Sequence, residues 1–174
     1  MTVTRRRFTV LLGAAIAFQV LVLVGMVARA ALPLWTGAEI RVKTIPVDPR
    51  SMFRGNYARL RYEFGTLPHD ALSDVERLRV GEVVYVSLER GDEGTYGFAG
   101  ASMGRPANGI YLRGRLLTTS PPLRVRYGIE AFFAPRDRAL KLESRLLDGG
   151  TAVLMVTDGG RVALKDVIPN LDSE

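Results

Sequence analysis

The densest group of reactive side chains in this 174-residue chain is Asp48-Pro49-Arg50-Ser51, a few positions ahead of Gly55-Asn56-Tyr57. Residues of this kind form an exposed turn, and Gly55 permits backbone shapes closed to residues with a Cβ. In such a turn Asp48 and Arg50 bind an anion or a peptide terminus, or else cap the turn's own backbone, the commoner outcome. Ser51 is a candidate nucleophile that needs a basic partner. Of the lysines Lys43, Lys141 and Lys165, only Lys165 lies in a fairly apolar strand pattern, where burial favours a neutral amine able to take the serine's proton.

Other catalytic constellations are poorly supplied. His69, the one histidine, stands beside Asp70 in a polar stretch and reads as a solvated surface residue. Asp48, Glu63 and Glu130 offer carboxylates, but nothing in their spacing brings two to the separation that glycoside chemistry requires. With a single histidine, no cysteine and no EF-hand-like loop, no metal site and no cofactor are expected. The sequence therefore assigns no catalytic residue and ranks binding above catalysis.

The formal charge of +6 is misleading as a sum, because Arg5, Arg6, Arg7 and Arg29 flank one apolar stretch and the remaining 20 basic residues face 18 acidic ones. A near-balanced remainder argues against a nucleic-acid surface. The strong preference for arginine over lysine reads first as a base-composition habit, with phosphate or carboxylate recognition as the alternative.

These residues must be positioned by the rest of the chain, which begins with 21 uncharged residues, 8–28. As a helix they span about 31 Å, enough for a bilayer core of about 30 Å. Their twelve Leu, Ile, Val and Phe residues favour insertion by roughly 4 to 7 kcal/mol before Gln19 and the glycines are counted against them. Arg5, Arg6 and Arg7 hold the N-terminus, 1–7, in the cytoplasm, so the rest faces away from it. Pro33 is expected to stop the helix, Trp35 to rest among the headgroups, and 29–37 to form a juxtamembrane linker. Two rival readings use the same residues: a cleavable signal ending at Ala28-Arg29-Ala30, and a twin-arginine export signal at Thr4-Arg5-Arg6-Arg7-Phe8. The length of the apolar run favours a retained anchor in the cytoplasmic membrane. Gly13 and Ala17 also carry the small-residue spacing of paired membrane helices.

Residues 38–174 read as one extracytoplasmic, periplasmic domain. Period-two alternation predicts strands over 38–45 and 56–64, the latter placing Ala58, Leu60, Tyr62 and Phe64 on one face. Further strands are expected over 82–89, 95–101, 110–117, 123–133, 152–157 and 162–168, with Gly91-Asp92-Glu93-Gly94 and Asp158-Gly159-Gly160 as hairpin turns. A short helix or turn is expected over 69–79 and a helix over 136–147, the latter ended by Gly149-Gly150. The fold class is α+β: a mostly antiparallel β-sheet domain with one or two short helices, preceded by one transmembrane helix.

Gly55-Asn56-Tyr57-Ala58-Arg59-Leu60-Arg61-Tyr62, preceded by Asp48-Pro49-Arg50, resembles the family named for its signature Gly-Asp-Tyr-X-X-Leu-X-Tyr. Tyr127-Gly128-Ile129-Glu130-Ala131-Phe132-Phe133-Ala134-Pro135 is similar to a second stretch of the same GDYXXLXY family. The resemblance implies a bacterial membrane-anchored protein of uncharacterised function that partners multi-spanning membrane proteins. It points to a binding turn made of Asp48, Pro49, Arg50, Gly55, Asn56, Tyr57, Leu60 and Tyr62, together with Tyr127, Gly128 and Glu130. Asn56 departs from the family's usual aspartate and keeps only its hydrogen-bonding geometry; Arg136 likewise stands where an acidic residue is usual. The first functional expectation is an anchored interaction module. The runner-up is an anchored serine hydrolase or peptidase using Ser51.

Overall fold

The computed structural model describes residues 2–45, 57–68, 70–72, 78–91, 93–133 and 149–169. It opens on helix α1, Thr2–Thr36. From Arg7 to Thr36 this helix is long and apolar enough to cross a membrane, and none of its apolar stretch is buried by the protein. An isolated helix with apolar residues on every side has no polar face to offer water, so lipid is its natural surrounding.

The helix does not stop at Pro33 as the sequence predicts but continues to Thr36, so most of the expected linker is helical. A proline inside a helix removes one hydrogen bond and crowds the carbonyl four residues back, at about 3 kcal/mol. Here the last turn has compensating contacts. Pro33 is buried, Thr36 Oγ1 donates to Leu32 O at 3.0 Å, and the Gly37 amide donates to Pro33 O at 3.0 Å. Gly37 is a tight joint: a Cβ there would lie 2.5 Å from Pro33 O and 2.8 Å from Val156 N. One residue thus separates the helix from strand β1, Ala38–Ile45.

The domain is built from antiparallel sheets. Strand β1 sits inside a four-stranded sheet of order β11-β10-β1-β3, where β3 is Arg61–Tyr62, β10 is Gly150–Val156 and β11 is Val162–Pro169. A five-stranded sheet has the order β4-β8-β7-β5-β6, made of Thr66–Leu67, Leu123–Arg126, Ile110–Leu116, Val83–Arg90 and Tyr96–Ser102. A short ribbon joins β2, Tyr57–Arg59, to β9, Ala131–Phe133. Alternation along each strand decides which side chains enter the core. Ile40, Val42 and Leu154 from the first sheet share one buried cluster with Val84, Val86, Leu112 and Leu116 from the second. Thr44 is the buried exception, and its hydroxyl is satisfied by Gly150 O at 2.9 Å.

The hairpin expected at Asp158-Gly159-Gly160 is present, with Val156 opposite Val162. Its tip docks on the other sheet: Arg113 N donates to Gly160 O at 2.7 Å, and the Tyr111 hydroxyl donates to Asp158 O. The two long strands expected over 56–64 and 123–133 are each broken. The first divides into β2, β3 and a 3-10 turn at Glu63–Gly65, and the second into β8 and β9. In both, the chain passes from one partner strand to another at the break. Of the expected helix over 69–79, residues Asp70, Ala71 and Leu72 form a turn and bend, and 73–77 lie outside the described residues. The expected helix over 136–147 also lies outside them.

Candidate functional site

The two motif stretches, distant in sequence, meet in space. Tyr57, Ala58 and Arg59 pair with Phe133, Phe132 and Ala131, and Leu60 N continues the ladder to Glu130 O at 2.9 Å. Leu60 and Tyr62 alternate into the core and are each 4% exposed. The Tyr62 hydroxyl donates to Ile129 O at 2.9 Å. Its ring stacks on Phe64 with centroids 5.2 Å apart, and Phe64 meets Tyr127 edge-on at 5.4 Å. Tyr127 closes the circuit by donating its hydroxyl to Phe64 O at 2.7 Å.

Glu130 serves the backbone. One carboxylate oxygen accepts from Tyr127 N at 2.6 Å and the other from Gly128 N at 2.9 Å. Gly128 has φ of +88°, a conformation that glycine adopts without strain. Burial, and after it the nearby Glu130 charge, pushes the Tyr62 and Tyr127 phenols far above their ordinary range. Both stay neutral at any physiological pH and are committed to carbonyl acceptors. The arrangement holds a sharp turn against a strand; it does not present an acid, a base or a nucleophile.

Asp48, Pro49, Arg50, Ser51, Gly55 and Asn56 lie outside the described residues, as do His69 and Lys141. The ends of the 46–56 segment are fixed: Ile45 is the partner of Arg61 and Tyr57 the partner of Phe133. The amine expected for Ser51 is placed differently from its prediction. Lys165 is exposed on its strand, with Nζ 2.7 Å from Glu39 Oε2. Lys43 pairs with Glu93 at 2.6 Å. Both are surface ion pairs, and Lys165 does not have the apolar setting its strand pattern suggested. Glu63 is exposed in its 3-10 turn, and no group of acidic or histidine residues among the described residues has the geometry to hold a metal ion.

A cleft of about 640 Å³ opens between the end of α1 and the five-stranded sheet. Met26, Arg29, Ala30 and Pro33 supply its helical wall, a spacing that repeats on one face of a helix. Arg113 and Arg115 from β7, Arg126 from β8 and Arg161 from the β10–β11 turn line the opposite side, with Tyr127 and Gly128 between. Arg115 and Arg126 are direct cross-strand partners. Gly114, between Arg113 and Arg115 on the strand, faces the core, where a Cβ would collide with Val125 Cγ1 and lie 2.9 Å from Tyr127 Cε1. Among the described residues, five arginines and no carboxylate line the cleft. Arg115 donates to Gly81 O at 2.7 Å; among the described residues the other four guanidinium groups have neither a hydrogen bond nor an ion pair.

The model of the GDYXXLXY family matches residues 19–167, nearly the whole chain. The chain belongs to the GDYXXLXY family. Neither a curated protein nor a solved structure matches it. The match runs from within α1 into β11, so this GDYXXLXY protein carries the motif ribbon, the cleft and the Gly37 joint between helix and β1 inside its family region.

Of the expected site residues, Tyr57, Leu60, Tyr62, Tyr127, Gly128 and Glu130 are brought together, and their contacts are internal. The arginine cleft was not expected. Its signal was present in the alternation of Arg113 with Arg115 and of Arg124 with Arg126, which puts all four on the outer faces of neighbouring strands. Subtracting charges over the whole chain concealed that alternation.

Proposed function

We propose that this GDYXXLXY protein is a single-pass, membrane-anchored interaction module. In this reading 8–28 crosses a bacterial cytoplasmic membrane, Arg5, Arg6 and Arg7 stay in the cytoplasm, and the β-domain stands in the periplasm as an accessory to a multi-spanning membrane protein. One observation carries it: the helix enters β1 through Gly37 alone, packed against Pro33 and Val156. A tether so short holds the domain at a fixed height and angle beside the bilayer. An enzyme working on soluble substrates gains nothing from that constraint, whereas a module that must meet a neighbour in the same membrane needs it. The turn 48–56, set between Ile45 and Tyr57, is the proposed contact.

Two experiments test the reading. A compartment-sensitive reporter fused after Glu174 should be active on the periplasmic side; activity in the cytosol alone overturns the topology. Photo-crosslinking from position 50, followed by detergent purification, should recover one polytopic membrane protein, and its repeated absence counts against an accessory role. Labelling of Ser51 by a fluorophosphonate would instead establish the hydrolase reading.

A further inference from the structure

We propose that the arginine cleft binds the phosphate of an anionic phospholipid from the leaflet next to the β-domain. The apolar run ends at Ala28 and Arg29 is the first charge beyond it, so Arg29 stands at headgroup level when the run of about 31 Å fills the hydrocarbon core. The helical wall of the cleft extends from Met26 to Pro33, about 10 Å along the axis. It therefore begins where acyl chains end and passes through the layer that contains lipid phosphates.

Charge supplies the second step. Arg115 and Arg126 face each other across β7 and β8, and like charges directly opposite repel. Arg113, Arg161 and Arg29 add three more to the same lining, with no carboxylate among the described lining residues. Such a cluster is relieved by an anion. Guanidinium forks match phosphate oxygens in a two-point geometry that lysine does not reproduce. Gly128 has open space where a side chain would stand, so a headgroup can approach the backbone there.

Apolar surface at the same mouth distinguishes a lipid from a free phosphate. Met26 is 63% exposed on the helical wall and offers an acyl chain a surface just below the guanidinium groups. Leu32, Leu34 and Trp35 are also exposed in the last turn of the helix, outside the cleft lining, and indole and aliphatic side chains favour the membrane interface. Inorganic phosphate would use the arginines but none of this apolar surface.

The assignment rests on the anchored reading above, and its test separates the two. Full-length protein in detergent micelles is supplied with phosphatidylglycerol or phosphatidylcholine, and retained lipid is counted by native mass spectrometry. Phosphatidylglycerol should be retained in strong preference, and the Arg113→Gln/Arg126→Gln double variant should weaken that retention about thirtyfold, the share expected of two interfacial charges. Arg41→Gln, which removes an exposed arginine outside the cleft, should leave it unchanged. Excess inorganic phosphate should not displace the lipid. Equal retention of the two lipids, full retention by a double variant whose melting temperature has not fallen, or displacement by phosphate overturns the lipid site. Alkaline extraction that frees the chain from membranes would remove the anchor itself; a chain that stays in the membrane without lipid preference loses only this assignment.

Discussion

The motif ribbon and the arginine cleft share a border at Tyr127 and Gly128, yet they treat polar groups in opposite ways. In the ribbon the polar side chains turned inward have partners: Tyr62 with Ile129 O, Tyr127 with Phe64 O, and Glu130 with two backbone amides. In the cleft, four guanidinium groups have none among the described residues, and two arginines oppose each other. Satisfied, buried groups stabilise a fold and have little left to offer a ligand. Concentrated unpaired charge costs stability and is retained where something else compensates it. The part of the chain easiest to recognise is thus its scaffold, and the part best suited to binding lies beside it.

That contrast is broken most directly at Tyr62. Tyr62→Ala should destabilise the domain by about 3–5 kcal/mol, as expected for emptying a buried aromatic site. Tyr62→Phe, which keeps the ring and leaves Ile129 O unpaired, should cost about 1–2 kcal/mol. Denaturant titration of the full-length protein in detergent measures both. A loss below 1 kcal/mol for the alanine variant would show that the ribbon is not the scaffold described here.

The phenols give the next largest effect, and it depends on pH. Both tyrosines titrate near pH 10 when unfolded, and folding raises their values. The native state therefore holds protons that the unfolded state gives up, so their stabilising contribution is complete below about pH 10 and falls as pH rises beyond it. Two such groups should cost about 2.7 kcal/mol per pH unit in that range. Stability curves from pH 8 to 11 should bend downward for the native chain, and the bend should shrink in a Tyr62→Phe/Tyr127→Phe variant. An equal bend in both would assign the loss to other groups.

Glu130 tests whether its carboxylate is committed to the turn. Glu130→Ala strands the Tyr127 and Gly128 amides and should cost about 1–3 kcal/mol. Glu130→Gln keeps one acceptor and should recover roughly half of that loss. If alanine is tolerated without loss of stability while the crosslinked partner disappears, Glu130 belongs to the binding surface instead.

Much of this was legible because side-chain alternation reports directly on burial. Ile40, Val42 and Thr44 point inward as the pattern over 38–45 requires, and Leu60, Tyr62 and Phe64 remain on one buried side even though their strand is broken. The breaks themselves had no local signature. They arise because β2 must reach β9 while β3 reaches β1, a consequence of long-range pairing. Pro33 misled for a similar reason, since its penalty is local while the packing of the last helical turn is tertiary. The roles of Tyr127 and Glu130 were equally hidden: the motif named the residues, but only the fold shows that their polar atoms are turned inward. The arginines escaped notice because a net charge sums over the surface, whereas a site depends on which charges become neighbours.

The smallest expected effect has the opposite sign and is for that reason the most discriminating. Arg126 is exposed, opposes Arg115, and has no acidic partner among the described residues, so Arg126→Gln removes repulsion without removing a contact. The variant should be more stable than the native protein by about 0.2–1 kcal/mol at low salt. Added salt should erase most of the difference, because screening weakens repulsion between exposed charges. Paired denaturant titrations at low and high ionic strength read this directly. If Arg126→Gln is instead destabilising at both, the arginines support the fold just as Tyr62 and Glu130 do, and the division between a satisfied scaffold and an unsatisfied binding surface fails.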